Sequence, residues 1–165
     1  VDCPDSSAWL AEYPNLVVVR TFSKAYGLAG LRVGYALSHP GVAEILNRVR
    51  QPFNVNAVSL AAAVAALEDR AHVAAVAALN RAGLERLTSG CRTLGVRTFP
   101  SAANFLLVDV GRPAGPVYEA MLRAGVIVRP VAGYGLPNCL RISTGTAVEN
   151  ERCLRALAQA LKEAA

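Results

Sequence analysis

The feature that most restricts the fold is a short apolar run that ends in a polar, glycine-rich turn. Residues Leu16 to Arg20 form the run, which predicts a short buried strand of the kind found in a parallel sheet covered on both faces. The turn TFSKAYGLAG follows at residues 21–30, and Leu31 to Leu37 predict a second strand. Because exposed loops on a rigid scaffold commonly carry function, the turn is the first place to look for chemistry.

An amine, a hydroxyl and a guanidinium lie close together in this segment. Lys24 follows directly after Ser23, and Arg32 comes eight residues later. A lysine amine can condense with an aldehyde, while a hydroxyl and a planar guanidinium can hold a phosphate. The set favours covalent capture of an aldehyde cofactor that carries a phosphate, with the Thr21 hydroxyl as a further candidate ligand. The competing interpretations are a solvated lysine and a surface ion pair of Arg32.

The glycines of the turn argue against other phosphate sites. Gly27, Gly30 and Gly34 do not form the G-x-G-x-x-G pattern, and no P-loop pattern is present. A dinucleotide or nucleoside-triphosphate site is therefore poorly supported. The glycines instead allow tight turns and a close approach of the backbone.

The sequence SKAYGLAGLRVGY at residues 23–35 resembles the cofactor-lysine segment of fold-type I pyridoxal-phosphate enzymes, the class I/II aminotransferases. Further segments are similar to the C-terminal part of histidinol-phosphate aminotransferases: WLAEYPNL at 9–16, RTFSK at 20–24, VRPVAGYGLP at 128–137 and LRISTG at 140–145. The resemblance runs from about residue 9 to residue 161. It implies an α/β fold, with an incomplete large domain over residues 1–80 and a small C-terminal α/β domain over residues 81–165.

The same resemblance implies a set of roles for individual residues. Lys24 would be the catalytic lysine that condenses with pyridoxal 5'-phosphate. Thr21, Ser23 and Arg32 would bind the cofactor. Arg141, in an apolar strand pattern where a charge needs a partner, would bind the substrate carboxylate and, in the histidinol-phosphate branch, also face the phosphate of the alternative substrate. Arg129 would be a second arginine for a phosphorylated substrate, although a surface ion pair is a competing interpretation.

The implied activity is amino transfer between glutamate or 2-oxoglutarate and histidinol phosphate or imidazole-acetol phosphate, within histidine biosynthesis. The alternatives are another aminotransferase of the same branch, such as an aromatic one, a threonine-phosphate decarboxylase, or a non-catalytic α/β remnant. Family members are homodimers, which implies a homodimer for the whole enzyme. The family also expects an acidic residue upstream of the lysine, in an Asp-x-x-Tyr segment that the neighbours of Asp2 do not match. Neither Asp2 nor Asp5 is assigned to this role. We therefore expect residues 1–165 alone to have little or no transaminase activity.

Periodicity predicts the remaining elements. Pro40-Gly41 opens a helix from Val42 to about Arg50, and Asn56 caps a helix that runs to about Asp69. A long helix from about Ala71 to Leu94 would end at Gly95. Its apolar stripe comprises Leu79, Leu84, Leu87 and Leu94. Strands are predicted at residues 96–99, 105–110, 126–129 and 140–143, and helices at residues 113–124 and 148–163.

Composition excludes several classes of partner. The net charge is +5, but the arginines are scattered, which makes nucleic acid a weak interpretation. No uncharged apolar stretch is long enough to span a membrane, and no signal peptide is visible. No metal site is expected, because the cysteines lack C-x-x-C spacing and the two histidines lie far from them. The cysteines are Cys3, Cys91, Cys139 and Cys153. We expect their thiols to be reduced and mostly buried, and the protein to be cytoplasmic.

Overall fold

The computed structural model describes residues 4–163, so Asp2 and Cys3 lie outside the described residues. The chain divides into two compact units between Ala77 and Ala78, inside the long helix Arg70–Thr93. Each unit has its own sheet and its own buried cluster. The assignment of residues 1–80 to a large domain and residues 81–165 to a small one stays a prediction.

The first unit contains a two-stranded antiparallel sheet formed by β1 (Val17–Thr21) and β2 (Gly34–Ser38). The prediction of a buried strand in a parallel sheet is wrong for the described residues. Val18 is the one buried residue of β1, whereas the Val19 side chain is 69% exposed. The connection, residues 22–33, contains the short 3-10 helix Ala29–Leu31 and no α-helix, whereas parallel neighbours are usually joined by a crossover through an α-helix.

Two short helices and the start of a long one complete this unit. Helix α1 spans Pro40–Val49, α2 spans Ala57–Glu68, and α3 spans Arg70–Thr93. The predicted cap is confirmed, because the Asn56 side chain accepts a hydrogen bond from the Ser59 backbone N–H at 2.9 Å. A small core lies beneath the turn that follows β1; its buried residues are Phe22, Val33 and Ala63.

The second unit is a four-stranded antiparallel sheet with helices. Strands β3 (Arg97–Thr98), β4 (Phe105–Asp109), β5 (Arg129–Pro130) and β6 (Cys139–Ser143) lie in the order β3-β4-β6-β5. Helix α4 spans Ala114–Arg123, and α5 spans Ala147–Glu163. Strand β5 is shorter than the predicted strand at residues 126–129 and begins at its last residue.

One face of this sheet forms the main core, and the other is less buried. Leu106 and Val108 of β4 pair with Ile142 and Leu140 of β6, and all four are at most 2% exposed. Since side chains alternate along a strand, the intervening residues lie on the opposite face. Phe105, Leu107 and Arg141 lie there and are only half-buried.

The long helix matches its prediction at its end but not along its whole apolar stripe. Gly95 has a φ of 72°, the left-handed conformation that ends helices. Leu87 is fully buried, whereas Leu79 is 49% exposed, so Leu79 does not belong to the buried stripe. The apolar contact with the second unit's core begins at Leu84.

Two further findings concern the described residues as a whole. Between residues 4 and 163, no helix combines the length and apolar character that a membrane-spanning segment needs. Cys91, Cys139 and Cys153 are free thiols and buried, as predicted.

Candidate functional site

Lys24 lies in a tight turn directly after β1. The Ser23 backbone N–H donates to the Thr21 hydroxyl oxygen at 3.1 Å, and the Gly27 N–H donates to the Lys24 carbonyl at 2.9 Å. Gly27 has a φ of 72°, a conformation that favours glycine. The Lys24 side chain is exposed, so its amine is open to a reactant.

Arg32 ends a short 3-10 helix, Ala29–Leu31, in a left-handed conformation with φ 51° and ψ 46°. Its Nη1 donates to the Ala29 carbonyl at 2.7 Å. No carboxylate within residues 4–163 forms an ion pair with it. The guanidinium is therefore held in place by the backbone, and its charge is not neutralised by a described residue.

Hydrogen bonds and packing hold this turn on the first unit's core. The Phe22 N–H donates to the Val33 carbonyl at 3.2 Å, and the Leu28 N–H donates to the Phe22 carbonyl at 2.9 Å. Phe22 is only 3% exposed. From α2, the hydroxyl of the fully buried Ser59 donates to the Leu31 carbonyl at 2.8 Å. The backbone on both sides of Arg32 is therefore anchored.

The structure brings three of the predicted cofactor ligands onto one shallow groove of about 410 Å³. Thr21, Ser23 and Arg32 line it, and Arg20 adds a second guanidinium. No acidic residue lines the groove, and Lys24 lies next to Ser23 but is not part of the lining. Hydroxyls and guanidiniums without a carboxylate suit a phosphate, so the residues present fit the phosphate end of the expected cofactor.

A second pair of predicted site residues lies on the half-buried face of the other unit's sheet. Arg129 and Arg141 are direct partners in the antiparallel β5–β6 pair, which places their side chains on one face. Both line a groove of about 550 Å³ together with Tyr118 and Ser143. Neither forms an ion pair with a described carboxylate, so the surface ion pair that competes for Arg129 is not observed within residues 4–163. Two uncompensated guanidiniums side by side favour an anionic ligand.

Arg141 has one close aromatic contact. Its guanidinium carbon lies 5.2 Å from the centre of the Phe105 ring. Its Nε is buried and has no hydrogen-bond partner among the described residues. A buried donor without a hydrogen-bond partner costs folding free energy. The unpaired Nε is therefore a further indication that this groove binds a ligand with a hydrogen-bond acceptor.

The buried thiols are not part of either groove that holds the predicted site residues. Burial, and to a lesser extent the neighbouring Cys153 thiol, raises the pKa of Cys91 to about 11. Burial alone raises the pKa of Cys153 to about 11. Because the thiolate is the reactive form, these two cysteines act as packing residues and not as nucleophiles.

Sequence reasoning did not identify two supporting residues. Ser59 could have been noticed, because it is a lone hydroxyl in the alanine-rich sequence AVSLAAAVAAL at residues 57–67. Phe105 had no comparable signal, since it is 36 residues from Arg141 and meets it only through strand pairing.

Comparison with known proteins gives consistent matches over most of the chain. The sequence profile of the family "Aminotransferase class I and II" matches residues 3–157. Histidinol-phosphate aminotransferase 2 of Pseudomonas fluorescens is 60% identical over 163 residues, which is 99% of this chain and 44% of that protein. The protein of the same name from Pseudomonas aeruginosa is 58% identical, over 97% of this chain and 43% of its own length. The chain thus spans less than half the length of these curated relatives.

Solved structures agree with the sequence matches. Histidinol-phosphate aminotransferase from Sinorhizobium meliloti, in complex with pyridoxal-5'-phosphate, aligns with a TM-score of 0.81 at 36% identity, over 92% of this chain and 42% of that one. L-threonine-O-3-phosphate decarboxylase from Porphyromonas gingivalis aligns with a TM-score of 0.80 at 27% identity, over 94% and 49%. These likenesses confirm the predicted α/β fold class, with the chain corresponding to part of a larger fold.

Proposed function

Since the chain belongs to the aminotransferase class I and II family, we propose that it is the C-terminal part of a pyridoxal-phosphate-dependent histidinol-phosphate aminotransferase. The observation that carries the proposal is the groove next to Lys24, where Thr21, Ser23 and Arg32 converge without an acidic neighbour. The names of its relatives at 58–60% identity support the choice of substrate. The family further supports a homodimer as the state of the whole enzyme.

Lys24 is proposed to be the residue that binds the cofactor covalently and moves a proton. Pyridoxal phosphate, when bound, would supply an electron-withdrawing ring that stabilises negative charge on the substrate Cα. Lys24 would hold the cofactor through its amine, which can condense with an aldehyde with loss of water, and the same amine would move the proton at the substrate Cα. Its position in a turn anchored by Phe22 fixes the place from which the amine reaches these atoms.

Thr21, Ser23 and Arg32 are proposed to hold the cofactor's phosphate. Arg32 offers its guanidinium from a fixed backbone, and Ser23 adds a hydroxyl donor. The Thr21 hydroxyl already accepts from the Ser23 N–H, which leaves its own proton free to donate to a phosphate oxygen. Together they would orient the cofactor and leave Lys24 free for chemistry.

Arg141 and Arg129 are proposed to bind the substrates' anionic groups. Arg141 would hold the carboxylate of glutamate or 2-oxoglutarate in a bidentate contact. Arg129, directly opposite, would hold the phosphate of histidinol phosphate. One pair of guanidiniums would then serve both halves of the reaction, because each partner substrate carries an anion.

The covalent assignment can be tested without an activity measurement. The protein at its full natural length is loaded with pyridoxal phosphate, reduced with borohydride, digested and examined by mass spectrometry. We expect the cofactor on the peptide that contains Lys24, and no attachment in Lys24→Ala. Lys162→Ala is the matched control, because Lys162 is exposed in the last turn of α5 and should leave attachment unchanged. Attachment that persists in Lys24→Ala would overturn the assignment.

Threonine-phosphate decarboxylation is the second candidate reaction. It is supported by the similarity to the Porphyromonas gingivalis decarboxylase and by the two arginines, which suit a substrate with both a carboxylate and a phosphate. Product analysis separates the two reactions. Release of carbon dioxide from threonine phosphate without amino transfer would replace the first proposal with the second.

The proposed assignment also concerns the 165-residue chain by itself. We propose that residues 1–80 are part of the large domain and residues 81–165 form the small domain, and that residues 1–165 alone have little or no transaminase activity. The length of the relatives supports this, since the chain spans 44% of the Pseudomonas fluorescens protein. Amino transfer from glutamate by the purified chain, at the rate of the full-length protein, would contradict it.

A further inference from the structure

We propose that Phe105 is a positioning residue for Arg141: its ring holds the face of the guanidinium and leaves the edge N–H groups directed at a carboxylate. This inference rests on the proposed function, in which Arg141 binds the carboxylate of the substrate. It adds a residue that does not itself touch the substrate.

Strand register places the two side chains on the same face of the sheet. Leu107 is the direct partner of Arg141 across the β4–β6 pair, and Phe105 is two residues away from Leu107 on β4. Phe105 is therefore a diagonal neighbour of Arg141, which is a separation that aromatic and long side chains can span. The guanidinium carbon lies 5.2 Å from the ring centre, within the range of a cation–π interaction.

The other neighbours of Arg141 do not orient its charge. Leu107, its partner on β4, is apolar, and Arg129, its partner on β5, carries the same charge. The Nε finds no hydrogen-bond partner among the described residues, and no ion pair within residues 4–163 involves Arg141. Asp109, the other diagonal neighbour on β4, forms no ion pair with Arg141, and its Oδ1 accepts a hydrogen bond from the Gly111 N–H. Among the described residues, the Phe105 ring therefore makes the one cation–π contact with this guanidinium.

The geometry of a guanidinium explains why a ring is suited to this task. The donors of arginine point outward in the plane of the group, while its two faces carry none. A ring against one face therefore restricts the plane without consuming a donor. A carboxylate at position 105 would instead neutralise the charge and occupy the donors that a substrate needs. Phe105 orders Arg141 and keeps it available.

The contact can be measured in the unmodified protein. The side-chain Nε–H resonance of Arg141 is recorded in arginine-labelled protein at full natural length, with Arg141→Lys used to assign it. A proton near the face of an aromatic ring resonates upfield, so we expect an upfield position that is lost in Phe105→Leu and kept in Phe105→Tyr. An Arg141 resonance without an upfield displacement in the unmodified protein overturns the inference.

The consequence for function is a change in KM at constant kcat. Loss of a partly exposed cation–π contact corresponds to about a two- to fivefold weaker hold on the carboxylate. The carboxylate is bound equally before and during the reaction, so we expect KM for glutamate to rise about two- to fivefold in Phe105→Leu, with kcat unchanged. Phe105→Tyr should restore KM. Leu107→Met is the matched control, because Leu107 is equally half-buried on the same face and has no ring.

The outcomes separate this inference from the proposed function. If Arg141→Lys raises KM for glutamate and Phe105→Leu does not, the positioning role is wrong and the proposed function stands. If Arg141→Lys leaves KM unchanged, the carboxylate role of Arg141 is wrong. An equal rise of KM in Leu107→Met would reduce the effect of Phe105 to general packing and overturn the inference as well.

Discussion

Arg129 and Arg141 face each other as direct partners across the antiparallel β5–β6 pair. Like charges in this relationship destabilise a sheet, and no described carboxylate forms an ion pair with either arginine. The arrangement therefore lowers stability at the place where the proposed function needs an anion. Stability and ligand binding should change in opposite directions when one charge is removed.

The first prediction concerns Arg129, whose charge should lower stability and strengthen anion binding. Arg129→Gln should raise the free energy of unfolding by about 0.2–1 kcal/mol, because it removes the repulsion across the strand pair. The same change should weaken binding of inorganic phosphate. Urea denaturation with and without phosphate measures both effects. The control is Arg81→Gln, at an exposed position of α3, which should alter neither. A destabilised Arg129→Gln protein would contradict the prediction.

A methyl group at position 34 should disturb the cofactor groove. A Cβ built on Gly34 lies 2.6 Å from the Arg20 carbonyl oxygen, and backbone atoms cannot easily move away. Gly34→Ala should therefore cost about 1–3 kcal/mol of stability, as overpacking does. Thermal or urea unfolding measures the loss. Gly30→Ala is the matched control, because a Cβ there meets nothing within 4 Å. Equal stability of the two variants would argue against the close approach of β1 and β2.

Ser59 should matter for the position of Arg32. Ser59→Ala removes the buried hydroxyl that donates to the Leu31 carbonyl and leaves that carbonyl without this donor. The expected cost is about 1–3 kcal/mol of stability, accompanied by weaker binding of pyridoxal phosphate. Ser89→Ala is the control, because Ser89 is exposed and its hydroxyl donates only to the Arg86 carbonyl of its own helix. Cofactor binding that is unchanged in Ser59→Ala would show that α2 does not support the turn.

The buried thiols predict a loss of stability at alkaline pH. The pKa of Cys91 and that of Cys153 are raised to about 11, from an ordinary value of 9.0. Between these values the unfolded chain loses the thiol protons and the folded chain keeps them, so stability falls as pH rises from about 9 to about 11 and is unaffected below that window. Urea unfolding across this range measures the slope. Cys153→Ala should reduce the slope relative to the unmodified chain, and an unchanged slope would contradict the assignment.

Local signals account for the parts of the fold that were predicted well. Asn56 was expected to cap α2 and does so, and Gly95 was expected to end α3 and has the required conformation. Both depend on a few adjacent residues, which the sequence displays directly. The elements of the second unit were likewise found close to their predicted positions, apart from β3 and β5, which are both shorter than predicted.

Nonlocal relationships account for the parts that were not predicted. The apolar run of β1 predicts a strand but not which strand pairs with it, and the antiparallel pairing with β2 leaves Val19 exposed. Leu79 matches the helical period, yet the neighbours that would bury it are not determined by that period. Arg129 and Arg141 are twelve residues apart in sequence, and only the chain reversal between β5 and β6 makes them partners.

The candidate site shows the same division. The order Ser23–Lys24–Arg32 is legible in the sequence, and the groove shared by Ser23 and Arg32 is consistent with it. The supports from Ser59 and Phe105 depend on contacts across 28 and 36 residues, which no spacing rule reports. The roles of Lys24 and the five other ligands stay predictions until the labelling and variant experiments are done.

The left-handed backbone of Arg32 carries a practical consequence for protein engineering. Residues other than glycine, asparagine and aspartate are strained in this conformation, by about 1–2 kcal/mol. Selection for thermal stability alone would therefore favour variants in which glycine or asparagine replaces Arg32, because these variants would have a higher melting temperature. The same variants would lack the Arg32 guanidinium, which the proposed phosphate site requires. Libraries built on this scaffold should fix position 32 before any heat challenge is applied.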